Sequence, residues 1–149
     1  MDVRNRFNFT MLCDFYELTM GNGYFNCGFR DKITYFDLFF RNVPDQGGYA
    51  IAAGLEQAIE YIQDLKFEDE DIAYLRSRGC FSEDFLEYLR SFRFTGDIYA
   101  VPEGTPVFPR EPLVTVRAPA VQAQWMLLKS YLEMSSRIRK RYMVGGAQK

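Results

Sequence analysis

DIYAVPEGTPVFPREPLVTVRAP, residues 97–119, is the stretch that decides the fold. Its prolines and its glycine cut it into three short runs rich in β-branched and aromatic residues, which read as strands separated by turns. PEGT at 102–105 is a compact turn in which Pro102 fixes φ and Gly104 is free to take a positive value. A fourth strand lies far upstream. ITYFDLFF at 33–40 has strand length and is apolar on both faces except for Thr34 and Asp37, a pattern that predicts a buried strand. Arg41 follows directly, ahead of Pro44 and the pair Gly47 and Gly48, so it projects from a strand end into a loop.

Between these strands the spacing changes to that of helices. From Tyr49 to Leu65 apolar residues recur at Ile51, Leu55, Ala58, Ile62 and Leu65, a helical stripe opposed by charged and amide side chains. A shorter helix is predicted over Asp69 to Ser77, with acids in its first turn and Gly79 placed for a left-handed stop. Ser82 caps another, Glu83 to Ser91, whose Phe85, Leu86 and Leu89 face inward. Residues 10–26 also have helical spacing, with Leu12, Phe15, Leu18 and Met20 as a ragged apolar face that Gly21 and Gly23 loosen toward its end. Strands at 33–40 and 97–117 with helices between them argue an α+β fold, an antiparallel sheet of short strands packed with four to five helices on one side.

The composition bounds the rest. With 149 residues, 48% of them hydrophobic and 17% aromatic, the chain can bury a sizeable core as one domain. A net charge of −2 gives no nucleic-acid signature. The charge is uneven, because Lys129, Arg137, Arg139, Lys140, Arg141 and Lys149 face only Glu133 in the last segment and the body is acidic. A basic helix of that kind is read as a solvated face, with Tyr142 the one aromatic close to the charges as a base-stacking platform. Cys13, Cys27 and Cys80 are odd in number and form no C-x-x-C pair, which reads as reduced thiols in a cytoplasmic protein. No apolar run approaches a membrane span or a signal-peptide core, so the chain is expected to be soluble, with no membrane partner. The absence of histidine removes the usual zinc sites and every imidazole mechanism from these 149 residues.

Five blocks carry a family resemblance: DFYELTM at 14–20, FDLFFRNVP at 36–44, GGYAIAAGLE at 47–56, EDIAYLRS at 70–77 and FTGDIYAVPEGTPVFPREPLVTV at 94–116. In order and spacing, over most of residues 8–124, they resemble the amino-terminal domain of bacterial nicotinate phosphoribosyltransferases. The resemblance implies an enzyme of NAD salvage. Such an enzyme joins nicotinate to the ribose of phosphoribosyl pyrophosphate, releases pyrophosphate, and uses ATP hydrolysis, with Mg in the full-length family, to drive the equilibrium. Displacement at an electron-poor anomeric carbon requires a flat ring held against it and a clamp for a polyanion.

What the resemblance implies for single residues falls on three positions. Tyr16 matches the tyrosine that stacks on the pyridine ring, often across a dimer interface; the residues alone favour a core tyrosine with its hydroxyl satisfied, and the resemblance reverses that preference. Arg41 matches an arginine that reaches phosphate groups, for which a planar fork is suited, and it also reads as a solvated arginine at a strand end. Asp14 is an acid in an oily segment, where an unpartnered carboxylate is costly, and it is expected to position Tyr16 rather than to meet an anionic substrate. No catalytic or metal-binding residue is assigned. Glu103 in PEGT reads as a solvated turn residue, Cys13 as packing, and the glycines of GGYA as the start of a helix rather than a phosphate loop.

The resemblance implies more than this chain contains. Family members are several-fold longer and add a barrel domain with the phosphate site, a second ring-stacking aromatic and a histidine phosphorylated from ATP. The likeness weakens after Gln124, so residues 1–124 are expected to be the domain and 125–149 a divergent basic helical tail. Three explanations stand: a truncated or frameshifted product, which the abrupt change at Gln124 favours, one piece of a split enzyme, or a shortened interaction module. The chain alone is then expected to be inactive and to bind no ATP or Mg. Its expected partner is a second copy in a homodimer or a barrel fragment, and nicotinamide phosphoribosyltransferase or a non-catalytic dimerisation module is the alternative function.

Overall fold

The computed structural model of the chain describes residues 8, 10–43 and 48–125. Nine elements follow in the order α1 (Phe15–Asn26), β1 (Ile33–Leu38), β2 (Ala50–Ile51), α2 (Leu55–Asp64), α3 (Asp69–Ser77), α4 (Glu83–Arg90), β3 (Asp97–Ala100), β4 (Pro106–Val107) and β5 (Val114–Pro119). A fifth helix begins at residue 120. The α+β reading holds: β1, β5 and β3 form one antiparallel sheet in that order, and β2 pairs antiparallel with β4.

The central strand β5 dictates which face is buried. Its burial alternates strictly, with Val114, Val116 and Ala118 inside. They stand opposite Leu38, Phe36 and Thr34 of β1. On the other side Ala100 and Ile98 of β3 complete the same face. Against it pack Leu18 of α1, Ile72 and Leu75 of α3, Phe85, Leu86 and Leu89 of α4, and Phe67, Phe92 and Trp125, all at most 2% exposed. Phe67 meets Trp125 edge-on at 4.8 Å, a geometry the ring quadrupoles favour. The outer face carries a polar ladder in which Arg117 bonds to both Tyr35 Oη and Asp97, and Thr115 donates to Asp37.

That outer face corrects the expectation of a doubly buried β1. Ile33, Tyr35 and Asp37 are exposed, because no layer of the described residues covers that side of the sheet. An aromatic-rich strand looks buried on both faces whenever its solvent side is built from tyrosine and isoleucine.

The middle helices follow their local signals. In α3 the Glu68 side chain accepts from the Asp71 backbone while Asp71 accepts from the Glu68 N–H at 2.9 Å, a reciprocal capping box. Ser82 Oγ accepts the Phe85 N–H at the start of α4, and Gly79 ends α3 at φ 68°. The stripe over 49–65, by contrast, divides. Residues 50–51 pair with 106–107, and the Ala52 N–H donates to the Thr105 carbonyl at 2.9 Å, so this backbone is already in use when the helix could begin. Gly54, at φ 103°, then turns the chain into α2. Likewise α1 starts at Phe15 rather than Thr10, and Gly21 does not loosen it. Gly21 lies inside the helix where it faces α4, and a Cβ there would stand 3.4 Å from Phe85 Cζ, at the edge of ordinary contact.

The tail expected from residue 125 lies, apart from Trp125 itself, outside the described residues. Cys13, Cys27 and Cys80 are free thiols. Among the described residues no helix is long and apolar enough to cross a membrane.

Candidate functional site

The first turn of α1 gathers two of the three expected site residues. Asp14 takes extended backbone angles at the N-cap position, its carbonyl accepts the Glu17 N–H at 3.0 Å, and its side chain makes no capping bond. It is exposed, so the cost of burying an acid does not fall on Asp14. It falls on Glu17, which is 3% exposed. The helix start explains the exchange: with the chain helical only from Phe15, Glu17 and Leu18 turn inward while Asp14 remains in solvent.

Tyr16 is 52% exposed, with Leu12, Phe15 and Met20 also open to solvent nearby in sequence. This contradicts the reading of Tyr16 as a core tyrosine. An aromatic ring left half in water beside other apolar side chains is a surface that gains from being covered. Phe15 is braced edge-on against Phe81 at 5.6 Å, and the Tyr16 carbonyl accepts from Thr19 Oγ1 at 2.8 Å, so the turn that presents the ring is itself held.

Behind this turn lies a buried polar cluster. Met20 Sδ accepts from Gln124 Nε2 at 3.4 Å, tying α1 to the helix that begins at residue 120. Among the described residues, Glu17 Oε2 and Gln124 Oε1 are buried with no hydrogen-bond partner. Burial, and then the negative field of Asp14, push the Glu17 carboxyl up to about 7, while a hydrogen bond from the Tyr16 side chain works against the rise. Tyr16 is raised in return, first by Glu17, then by desolvation and by Asp14. Tyr61 of α2 is raised well above the usual phenol range by burial, then by Cys13, with an opposing hydrogen bond involving Trp125 and a smaller contribution from Glu17. Cys13, half-buried against the core, is thus part of the packing beside this cluster.

Arg41 is placed apart. It stands exposed three residues beyond the end of β1, where the Phe40 carbonyl accepts the Arg110 N–H at 2.8 Å and the Leu38 carbonyl accepts the Leu113 N–H at 2.7 Å. No hydrogen bond or ion pair joins it to Asp14 or Tyr16, and among the described residues its guanidinium has no acidic partner. A fork at a strand end with no acidic partner among the described residues is suited to an anion. Arg110 lies beside this segment in the left-handed region at φ 69°, a backbone position that costs an arginine energy.

Two residues of consequence escape a reading of the sequence alone. Glu17 shows a signal only once the helix start is known, because its spacing to Asp14 merely puts both acids near one side. Glu103 is the other. Exposed in its turn as expected, it nevertheless accepts the Gly54 and Leu55 N–H groups at 2.8 and 2.9 Å and so occupies the start of α2.

The profile of the nicotinate phosphoribosyltransferase (NAPRTase) N-terminal domain matches residues 11–128. Nicotinate phosphoribosyltransferase pncB2 of Mycobacterium tuberculosis is 41% identical over 114 residues, covering 76% of this chain and 24% of the relative. The nicotinate phosphoribosyltransferase of Bacillus subtilis is 47% identical over 111 residues, covering 74% and 23%. The crystal structure of human nicotinic acid phosphoribosyltransferase superimposes with a TM-score of 0.79 at 29% identity, covering 93% of this chain and 29% of that one. The chain therefore spans about a quarter of the length of the curated relatives it matches. On this similarity in sequence and in fold, the chain belongs to the nicotinate phosphoribosyltransferase family and corresponds to its N-terminal domain.

Proposed function

We propose that the chain is the ring-facing part of a nicotinate phosphoribosyltransferase. The complete enzyme would form nicotinate mononucleotide and pyrophosphate from nicotinate and phosphoribosyl pyrophosphate, with ATP hydrolysis. The observation that carries the reading is the half-exposed Tyr16 ring, presented on a braced helical turn with Leu12, Phe15 and Met20 open to solvent nearby in sequence. Stacking on the pyridine ring would orient its nitrogen toward the anomeric carbon. As that nitrogen forms its bond to the carbon, the bond to pyrophosphate breaks and the pyrophosphate oxygen takes the electron pair. Arg41, with no acidic partner among the described residues, would meet phosphate oxygens, and Asp14, at the N-cap of the helix that carries Tyr16, would help position that ring.

The remaining parts must come from elsewhere. The 149 residues contain no histidine, so the phosphorylated histidine implied for the full-length family would be supplied by the barrel, as would the second face of the ring site. Among the described residues no group of three or more Cys, Asp and Glu side chains is arranged to hold a metal ion, and ATP and Mg are assigned no residue here. The same exposed apolar side chains also favour a second reading, an interaction module that dimerises without catalysing.

One experiment separates the two. The purified chain is assayed for nicotinate mononucleotide alone and with a separately expressed barrel fragment of a relative. Activity only in the mixture, with Tyr16→Ala raising the KM for nicotinate, supports the enzyme reading; stacking worth about 0.5–1.5 kcal/mol corresponds to a rise of roughly 2- to 12-fold. A stable dimer with no activity in any mixture supports the interaction module instead.

A further inference from the structure

Arg110 stands where a turn has no use for a guanidinium. It lies between β4 and β5 in the left-handed region at φ 69°, a conformation that glycine adopts freely and that strains an arginine. Its N–H donates to the Phe40 carbonyl at 2.8 Å, which fixes its backbone beside the residue that precedes Arg41. Both arginines are exposed, and neither side chain has an ionic or hydrogen-bonding partner among the described residues.

We propose that Arg110 and Arg41 form a two-arginine clamp for a pyrophosphate-class anion, with Arg110 supplying the second fork. The inference rests on the reading of Arg41 as a phosphate-binding residue and adds a second residue to it. The Phe40–Arg110 hydrogen bond sets the two arginines on adjoining backbone segments about 5 Å apart, a spacing that lets two planar forks meet two linked phosphate groups. The acids of the same region are engaged with other groups. Glu111 Oε2 accepts the Phe108 N–H at 3.2 Å, and Asp37 accepts from Thr115 Oγ1, and neither pairs with Arg41 or Arg110. Phe39 and Phe108, each two residues before one of the arginines, are exposed as well. An anion held beside that apolar surface is less screened by water than one on an open polar surface.

The left-handed backbone supplies a test that separates binding from turn structure. Arg110→Gly removes the fork and relieves the strain together, so a residue that served the turn alone would lose nothing by the change.

In the full 149-residue chain, titrations with inorganic pyrophosphate and with inorganic phosphate at equal ionic strength are followed through the 15N-labelled amide signals of Arg41 and Arg110. Pyrophosphate is expected to move both signals along one binding curve and to bind at least about tenfold more tightly than phosphate. Arg110→Gly is expected to unfold at the same or a higher temperature than the wild type and to bind pyrophosphate about tenfold more weakly, and Arg110→Lys to recover only part of that loss. Unchanged affinity in Arg110→Gly, equal affinity for the two anions, or amide signals that stay still would overturn the clamp. Failure of the underlying reading is seen separately, in Arg41→Ala. Full pyrophosphate affinity there removes Arg41 from the phosphate site, whereas a loss there with none in Arg110→Gly leaves Arg41 in place and removes Arg110 alone.

Discussion

Glu103 Oε1 accepts the Leu55 N–H at 2.9 Å across 48 residues of sequence, so the turn between β3 and β4 caps the helix that follows β2. The carboxylate satisfies two orphan donors at once and lies at the positive end of α2. Glu103→Ala is expected to destabilise the chain by about 1–2 kcal/mol, and Glu103→Gln, which keeps an acceptor but loses the charge, by about half of that. Urea midpoints at a constant m-value check both, and equal losses in the two variants would place the effect in the charge alone.

Two glycines should respond in opposite directions to alanine. At Gly96 a Cβ would stand 2.4 Å from Ala118 Cβ and 2.5 Å from the Arg117 carbonyl oxygen, so β3 and β5 would have to part. Gly96→Ala is expected to cost about 3 kcal/mol or to prevent folding. At Gly23, inside α1, nothing lies within 4 Å of the added atom. There alanine is expected to stabilise by about 0.5–1 kcal/mol, because the unfolded chain loses freedom and the helix does not. Thermal unfolding of the two variants side by side gives the signs.

What could be read from the sequence follows the range of the interactions involved. Helices α3 and α4 are legible because their signals are local: acids in the first turn of α3 with Gly79 beyond its end, and Ser82 three residues before Phe85 at the start of α4. The start of α2 is not, since it depends on 50–52 pairing with 104–107 and on Glu103 reaching back. In the site, Tyr16 and Arg41 were marked by the blocks around them. Both acids sit in one oily run, so the sequence does not separate Asp14 from Glu17, and it is the burial of Glu17 in the first turn of α1 that marks it as the costly one.

Arg41 lends itself to a substitution that separates charge from shape. Being exposed and without an acidic partner among the described residues, it should contribute less than about 0.5 kcal/mol to stability. In the barrel-complemented enzyme, Arg41→Lys keeps the charge but removes the planar fork. It is expected to raise the KM for phosphoribosyl pyrophosphate by about tenfold, with that for nicotinate little changed. Equal effects on both substrates would remove Arg41 from the phosphate site.

Glu17 should leave a mark on stability. In the unfolded chain its carboxyl releases a proton near the ordinary value of 4.5, and in the folded chain near 7. Between those values the folded state holds the extra proton, so the contribution of Glu17 is complete below the lower value, declines as pH rises through the window, and levels off above the upper one. The loss is roughly 3 kcal/mol at most, the free-energy equivalent of such a shift. Glu17→Gln has no proton to lose. Its stability should therefore be flat across the window where the wild type falls, and the variant should gain on the wild type at about pH 8 relative to about pH 5. Urea titrations at those two values decide the matter, and an unchanged difference between them in Glu17→Gln would assign the pH dependence to other carboxyls.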